Sequence, residues 1–144
     1  MGLIEKAEWE ASHPENLFPF TLFVLGRLKK NGIKIAVLSR NSGKSVCRVF
    51  PNLDQYADAF LPRESVLRPK PDPEHLRQAM NLLNVLPQKT VMVGDHPIDV
   101  LSGKKAGTFT IGVLSGRIEE REIKAVGADL IVPDISYLIG LLEE

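Results

Sequence analysis

Short apolar runs alternate along this chain with stretches of helical spacing, and that alternation limits the fold more than any other feature. "IKIAVL" (33–38), "TVMVGD" (90–95) and "TFTIGVL" (108–114) read as buried strands. "YADAFLP" (56–62) and "DLIVP" (129–133) read as shorter ones. Helices are expected over residues 42–50, 74–84, 97–106, 118–126 and 135–142. In the 74–84 segment Leu76, Met80 and Leu83 share one face. "PFTLFVLGRLKKNG" (19–32) places Phe20, Phe23, Val24 and Leu28 at helical spacing and closes with basic residues and Gly32. Residues 3–10 read as one further short helix. Strands that alternate with helices build a parallel sheet covered on both faces, so the class is α/β. Ligands of such sheets sit beyond the carboxyl ends of the strands. That directs attention to the positions after Leu38 and Val93, and to the loop around Lys70.

Composition narrows the partners. A chain of 144 residues, 44% apolar and 25% charged, suits one globular domain. Its 18 basic and 18 acidic residues cancel, so no global charge points to nucleic acid or an anionic membrane. The single cysteine, Cys47, excludes an intramolecular disulfide and is expected as a small buried side chain. No apolar run approaches the ~18 residues of a membrane span. The first residues are acidic and lack the basic start and apolar core of a signal peptide. A cytoplasmic location is the expectation. No internal repeat or low-complexity linker is evident.

"IAVLSRNSGKS" (35–45) ends in the Gly-Lys-Ser of phosphate-cradling loops. That loop needs a first glycine five residues before Gly43, and Leu38 stands there. A Cβ at that position would keep backbone N–H groups from phosphate oxygens. The plainer reading is that Ser42 caps a helix, with Asn41 as a competing cap and Lys44 solvated.

Three stretches carry chemistry. In "VMVGDHPID", Asp95 ends a strand and Asp99 follows four residues later. Two such carboxylates suit Mg²⁺, which prefers hard oxygen ligands. The competing reading makes Asp95 or His96 the helix cap and Asp99 a first-turn acid. In "RPKPDP", three prolines hold Lys70 in a stiff loop before a helix, a rigid mount if that cation must meet an anion; the plainer reading is a surface turn with an incidental Lys. Ser39, after "IAVL", places a hydroxyl at a strand's carboxyl end, where it serves either a phosphoryl oxygen or a turn.

Together and in this order, a Ser after a strand, a Lys in a "KPDP" loop and "GDHPID" resemble the second, third and fourth motifs of the haloacid dehalogenase (HAD) superfamily. "VGDHPIDVLSGKKAGTFTIGVLSG" is similar to its phosphoglycolate-phosphatase-like branch. The resemblance runs from Pro14 to the end of the chain. It implies a three-layer, Rossmann-like core and Mg²⁺-dependent phosphoryl transfer from small phosphorylated molecules through an aspartyl-phosphate. It implies phosphate contacts from Ser39, Arg40, Asn41 and Lys70. Ser39 and Lys70 would serve catalysis, and Asp95 and Asp99 the metal. His96, next to Asp95, would line the entrance or, more plainly, stand solvated.

The family's first motif, D-x-D on the first strand, supplies the nucleophile. No two of Asp54, Asp58, Asp72, Asp95, Asp99, Asp129 and Asp134 are separated by one residue, so the motif is absent. The first strand itself is expected to be missing, along with most of the cap. Residues 1–18 read as a remnant of that cap or its linker, and 19–144 as the core. Two apolar strands would then lack their shared neighbour. A longer protein or altered gene start, a second chain donating the strand, self-association or direct pairing of the two strands would each resolve that.

Overall fold

The computed structural model describes residues 2–6, 19–114 and 118–142. Six parallel strands form one sheet in the order β3-β2-β1-β4-β5-β6. They are β1 (Gly2–Lys6), β2 (Lys34–Leu38), β3 (Ala59–Leu61), β4 (Thr90–Gly94), β5 (Phe109–Val113) and β6 (Leu130–Val132). The helices are α1 (Pro19–Lys30), α2 (Gly43–Val49), α3 (Glu74–Leu83), α4 (Pro97–Ala106), α5 (Glu120–Ala125) and α6 (Leu138–Leu142). The five strands read from apolar runs are all present. The expected closing helix is a 3-10 turn at Ile135–Tyr137 that leads into α6.

The expected gap at the sheet centre is filled. Residues read as a helix, and the strand thought to be missing, are corrected together: β1 lies between β2 and β4. Ile4 is in register with Ala36 on one side and Met92 on the other. Residues 2–6 therefore belong to the core sheet rather than to a cap remnant. The rest of that expected helix, 7–10, lies outside the described residues, as does most of the expected remnant. With β2 and β4 both paired to β1, the orphan edges that motivated a donated strand, self-association or direct pairing are gone.

Side chains alternate across the sheet, as a strand dictates. Ile35, Val37, Val91 and Val93 join α1 (Val24, Leu25, Leu28), α2 (Val46, Phe50) and Leu138 of α6 in one core cluster. Ala36, Leu38 and Met92 join α3 (Leu76, Ala79, Met80, Leu83) in the other. Helix α4 lies close on the sheet because Gly103 has no side chain; a Cβ there would stand 2.7 Å from Thr110 Cγ2. Strand order reverses between β1 and β4, and an open α/β sheet gathers its ligand at such a switch point.

Two short matching segments lock the opposite edge. "ADAFLP" (57–62) and "ADLIVP" (128–133) each place an Asp one residue before an outer strand. Asp58 Oδ2 accepts from Ile35 N at 2.8 Å, and Asp129 Oδ2 accepts from Thr110 N at 2.8 Å. In return Asp58 N donates to Ile35 O, and Asp129 N to Thr110 O. This twin was not apparent as a repeat because it spans only six residues.

Burial opposes the Asp58 charge, but the Ile35 N–H and the Lys29 ammonium outweigh it and hold its pKa below the usual carboxylate value. The Thr110 N–H lowers that of Asp129. Both folded-state values are depressed. Their stabilisation is therefore present above the unfolded value of about 3.9 and is lost as pH falls through the lower folded values. Asp129→Ala should cost about 1 kcal/mol at neutral pH, because solvent screens an exposed carboxylate. Urea melts should show that loss and a shallower decline in stability below about pH 4 than in the parent.

Candidate functional site

Strand β2 delivers Ser39 to the carboxyl edge, buried. Its N–H donates to Leu61 O at 3.2 Å, and its Oγ accepts from Asn41 N at 2.9 Å. Arg40 is exposed and Asn41 half-buried. Ser42 is the cap of α2, its side chain accepting from Ser45 N at 3.2 Å. Gly43 N donates to Glu64 Oε1 at 2.8 Å, so a carboxylate from the next loop meets this helix start. Gly-Lys-Ser is thus capping chemistry, with Lys44 exposed. Cys47 is exposed, which corrects the buried expectation. Helix α2 turns Val46 inward, with its C-cap Phe50 buried one turn on, and position 47 falls outside that stripe.

The loop before α3 is braced by its own backbone. Asp72 N donates to Pro69 O at 3.1 Å, and Asp72 Oδ1 accepts from Glu74 N at 2.9 Å. Lys70 extends from it into the interior and is 2% exposed. Its Nζ donates to Asp99 Oδ1 at 2.8 Å, and Asp99 is 1% exposed.

Asp99 reaches that position through the β4–α4 turn. A Cβ on Gly94 would stand 2.3 Å from Asp99 Cβ, so glycine is required there. His96 caps α4: its Nδ1 accepts from Ile98 N at 3.1 Å, and its N–H donates to Asp99 Oδ2 at 3.2 Å. The capping reading of this segment is therefore present, with Asp99 completing the capping box. Asp95 stands half-buried directly after β4.

His75 is the residue that motif reading passed over. It is buried at the second position of α3. Its Nε2 lies 2.9 Å from Leu61 O, and its Nδ1 accepts from Lys70 N at 3.4 Å. Ser39, Leu61, His75, Lys70, Asp99 and His96 are thereby linked through successive hydrogen bonds across the carboxyl edge. One signal was available: position 75 lies four residues before Ala79, on the buried stripe of α3.

Mg²⁺ takes oxygen ligands in octahedral geometry and keeps several waters. Among the described residues no three His, Cys, Asp or Glu side chains converge. Both Asp99 oxygens already accept hydrogen bonds, from Lys70 Nζ and His96 N. The described residues alone therefore do not make a Mg²⁺ cage. No described helix is long and apolar enough to cross a membrane.

Comparison with known proteins is consistent in kind. The family model described as haloacid dehalogenase-like hydrolase matches residues 3–113. The chain is 34% identical over 120 residues to pyrophosphatase PpaX of Bacillus mycoides, covering 80% of this chain and 54% of that protein. PpaX of Bacillus cereus is 32% identical over 122 residues, covering 81% and 55%. A solved haloacid dehalogenase-like hydrolase from Bacteroides fragilis superposes with TM-score 0.79 at 33% identity, over 85% of this chain and 59% of that one. A HAD-superfamily hydrolase of subfamily IA from Geobacter sulfurreducens gives 0.70 at 25%, over 86% and 55%. The chain spans about half the length of the curated relatives it matches.

Removing one partner of a buried ion pair strands the other charge, at about 3–5 kcal/mol. Lys70→Met and Asp99→Leu should each lose stability on that scale. The double variant should recover most of it, because both charges are then gone. Denaturant melts of the four proteins give the coupling directly.

Proposed function

The chain belongs to the haloacid dehalogenase-like hydrolase family, and we propose that it carries the phosphoryl-binding part of a phosphatase-type site whose nucleophile it does not supply. The buried Lys70–Asp99 pair carries this reading. A desolvated ammonium held in one place by a carboxylate interacts more strongly with an anion than a solvated one does. Asp99 thus serves best as the partner that positions Lys70, rather than as a metal ligand. Ser39 Oγ accepts from Asn41 N, which directs its own O–H proton toward another acceptor, such as a phosphoryl oxygen. Arg40 and Asn41 flank that position. Phosphoryl transfer depends mostly on positioning and electrostatic stabilisation, which are the contributions these groups offer.

The substrate class we propose is a small phosphorylated metabolite, in the cytoplasm, with neither nucleic acid nor membrane as partner. The similarity to proteins named pyrophosphatase supports phosphate chemistry without fixing the molecule. Mg²⁺ would supply charge neutralisation at the phosphoryl group when bound, with Asp95 as one oxygen ligand.

A second reading is a binding or regulatory module that keeps the fold without turnover. One observation favours it: β1 occupies the family's nucleophile-strand position, yet its residues are Gly2, Leu3, Ile4, Glu5 and Lys6, with no Asp. A nucleophilic carboxylate is indispensable to covalent catalysis through an aspartyl-phosphate.

With Mg²⁺ and an aryl phosphate, the purified chain should show turnover at or near the uncatalysed background. Robust hydrolysis that disappears in Asp95→Ala would overturn the missing-nucleophile reading and require another residue in that role.

A further inference from the structure

We propose that His75 is a positioning residue for this site, holding the Lys70 loop to the end of β3 through a neutral imidazole protonated at Nε2. The inference rests on the reading of Lys70 as a phosphoryl contact. Its structural part stands on hydrogen-bond chemistry alone.

His75 is 0% exposed, so water does not compete for its ring nitrogens. Leu61 O is a carbonyl and can only accept, so the Nε2 that stands 2.9 Å away carries the proton. Lys70 N–H can only donate, so the Nδ1 that stands 3.4 Å away carries none. One neutral tautomer meets both demands. Imidazolium would turn an N–H of its own toward the Lys70 N–H. The backbone around the ring therefore sets its protonation.

The same Leu61 carbonyl also accepts from Ser39 N. Two phosphoryl-site residues thus converge on one backbone oxygen: Ser39 through its own N–H, and Lys70 through the imidazole. Helix α3 is the rigid mount, with Leu76, Ala79, Met80 and Leu83 buried behind His75. A ring that merely filled space would have no reason to bridge the end of β3 and the Lys70 loop.

Two substitutions separate the contacts. His75→Asn puts an amide oxygen where Nδ1 stands, keeping the acceptor for Lys70 N–H and losing the donor to Leu61. His75→Gln puts an amide nitrogen near the Nε2 position, keeping that donor and losing the acceptor. Ring-nitrogen NMR of the parent protein should show Nε2 protonated and Nδ1 bare. Exchange of the Lys70 amide should be slow in the parent and in His75→Asn, and faster in His75→Gln by about tenfold, the size of one net hydrogen bond. Calorimetric titration with inorganic phosphate should follow the same order, with similar melting temperatures for the two variants.

The opposite tautomer, or equal Lys70 exchange in the Asn and Gln variants, would overturn the proposal. If the variants fail to fold, the parent's ring-nitrogen spectrum still decides it. Failure of the parent to bind phosphate would instead sink the phosphoryl-site reading, and the tautomer and the Lys70 exchange rates would then decide His75 by themselves.

Discussion

A buried ion pair organises the carboxyl edge of this sheet. Lys70 comes from the loop that enters α3, and Asp99 from the first turn of α4. Neither charge is tolerable alone in the interior, so each loop is held where the other needs it. The surrounding details follow from that requirement. Gly94 leaves room for the Asp99 side chain, and His96 caps α4 while donating to the second Asp99 oxygen. His75 holds the Lys70 backbone from below. The pair's net charge is zero, so its contribution to an anion site lies in direction rather than in total charge. The ammonium is held in one place by Asp99 Oδ1.

Fold and chemistry separate at β1. The sheet needs a strand between β2 and β4, because both are apolar and central, and residues 2–6 satisfy that need with backbone ladders on both sides. The chemistry of the family needs an Asp on that strand, and none is present. The geometric demand is met by any short segment that can extend and pair. The chemical demand is met by one residue type alone. The proposed reading follows this division: the chain keeps the architecture of the site while its nucleophile comes from elsewhere or is lacking.

The legibility of the sequence follows the same division. Strands β2, β4 and β5 were readable because strands covered on both faces become continuous apolar runs. The segment "GLIEK" was not: it is short, ends in two charges, and its extended state is imposed by the neighbouring strands rather than by local preference. Lys70 and Asp99 could be picked out from their motifs, but their mutual contact spans 29 residues and needed the fold to reveal it. His75 stayed hidden because its partners are backbone groups, which carry no residue-type signal. The Asp58 and Asp129 clamps escaped notice for that reason too, since what they hold is the start of the neighbouring strand. The exposure of Cys47 followed from the rotation of a two-turn helix, which composition does not constrain.

The account's central claim is that Ser39 and Lys70 form one oxyanion-binding position at the carboxyl edge, independent of a nucleophile on this chain. The most direct measurement is a crystal structure of the chain grown with tungstate, an electron-dense phosphate analogue. The account predicts tungstate within hydrogen-bond distance of both Ser39 Oγ and Lys70 Nζ, with the Lys70–Asp99 contact retained. Tungstate bound elsewhere on the chain, with that edge empty, would contradict it.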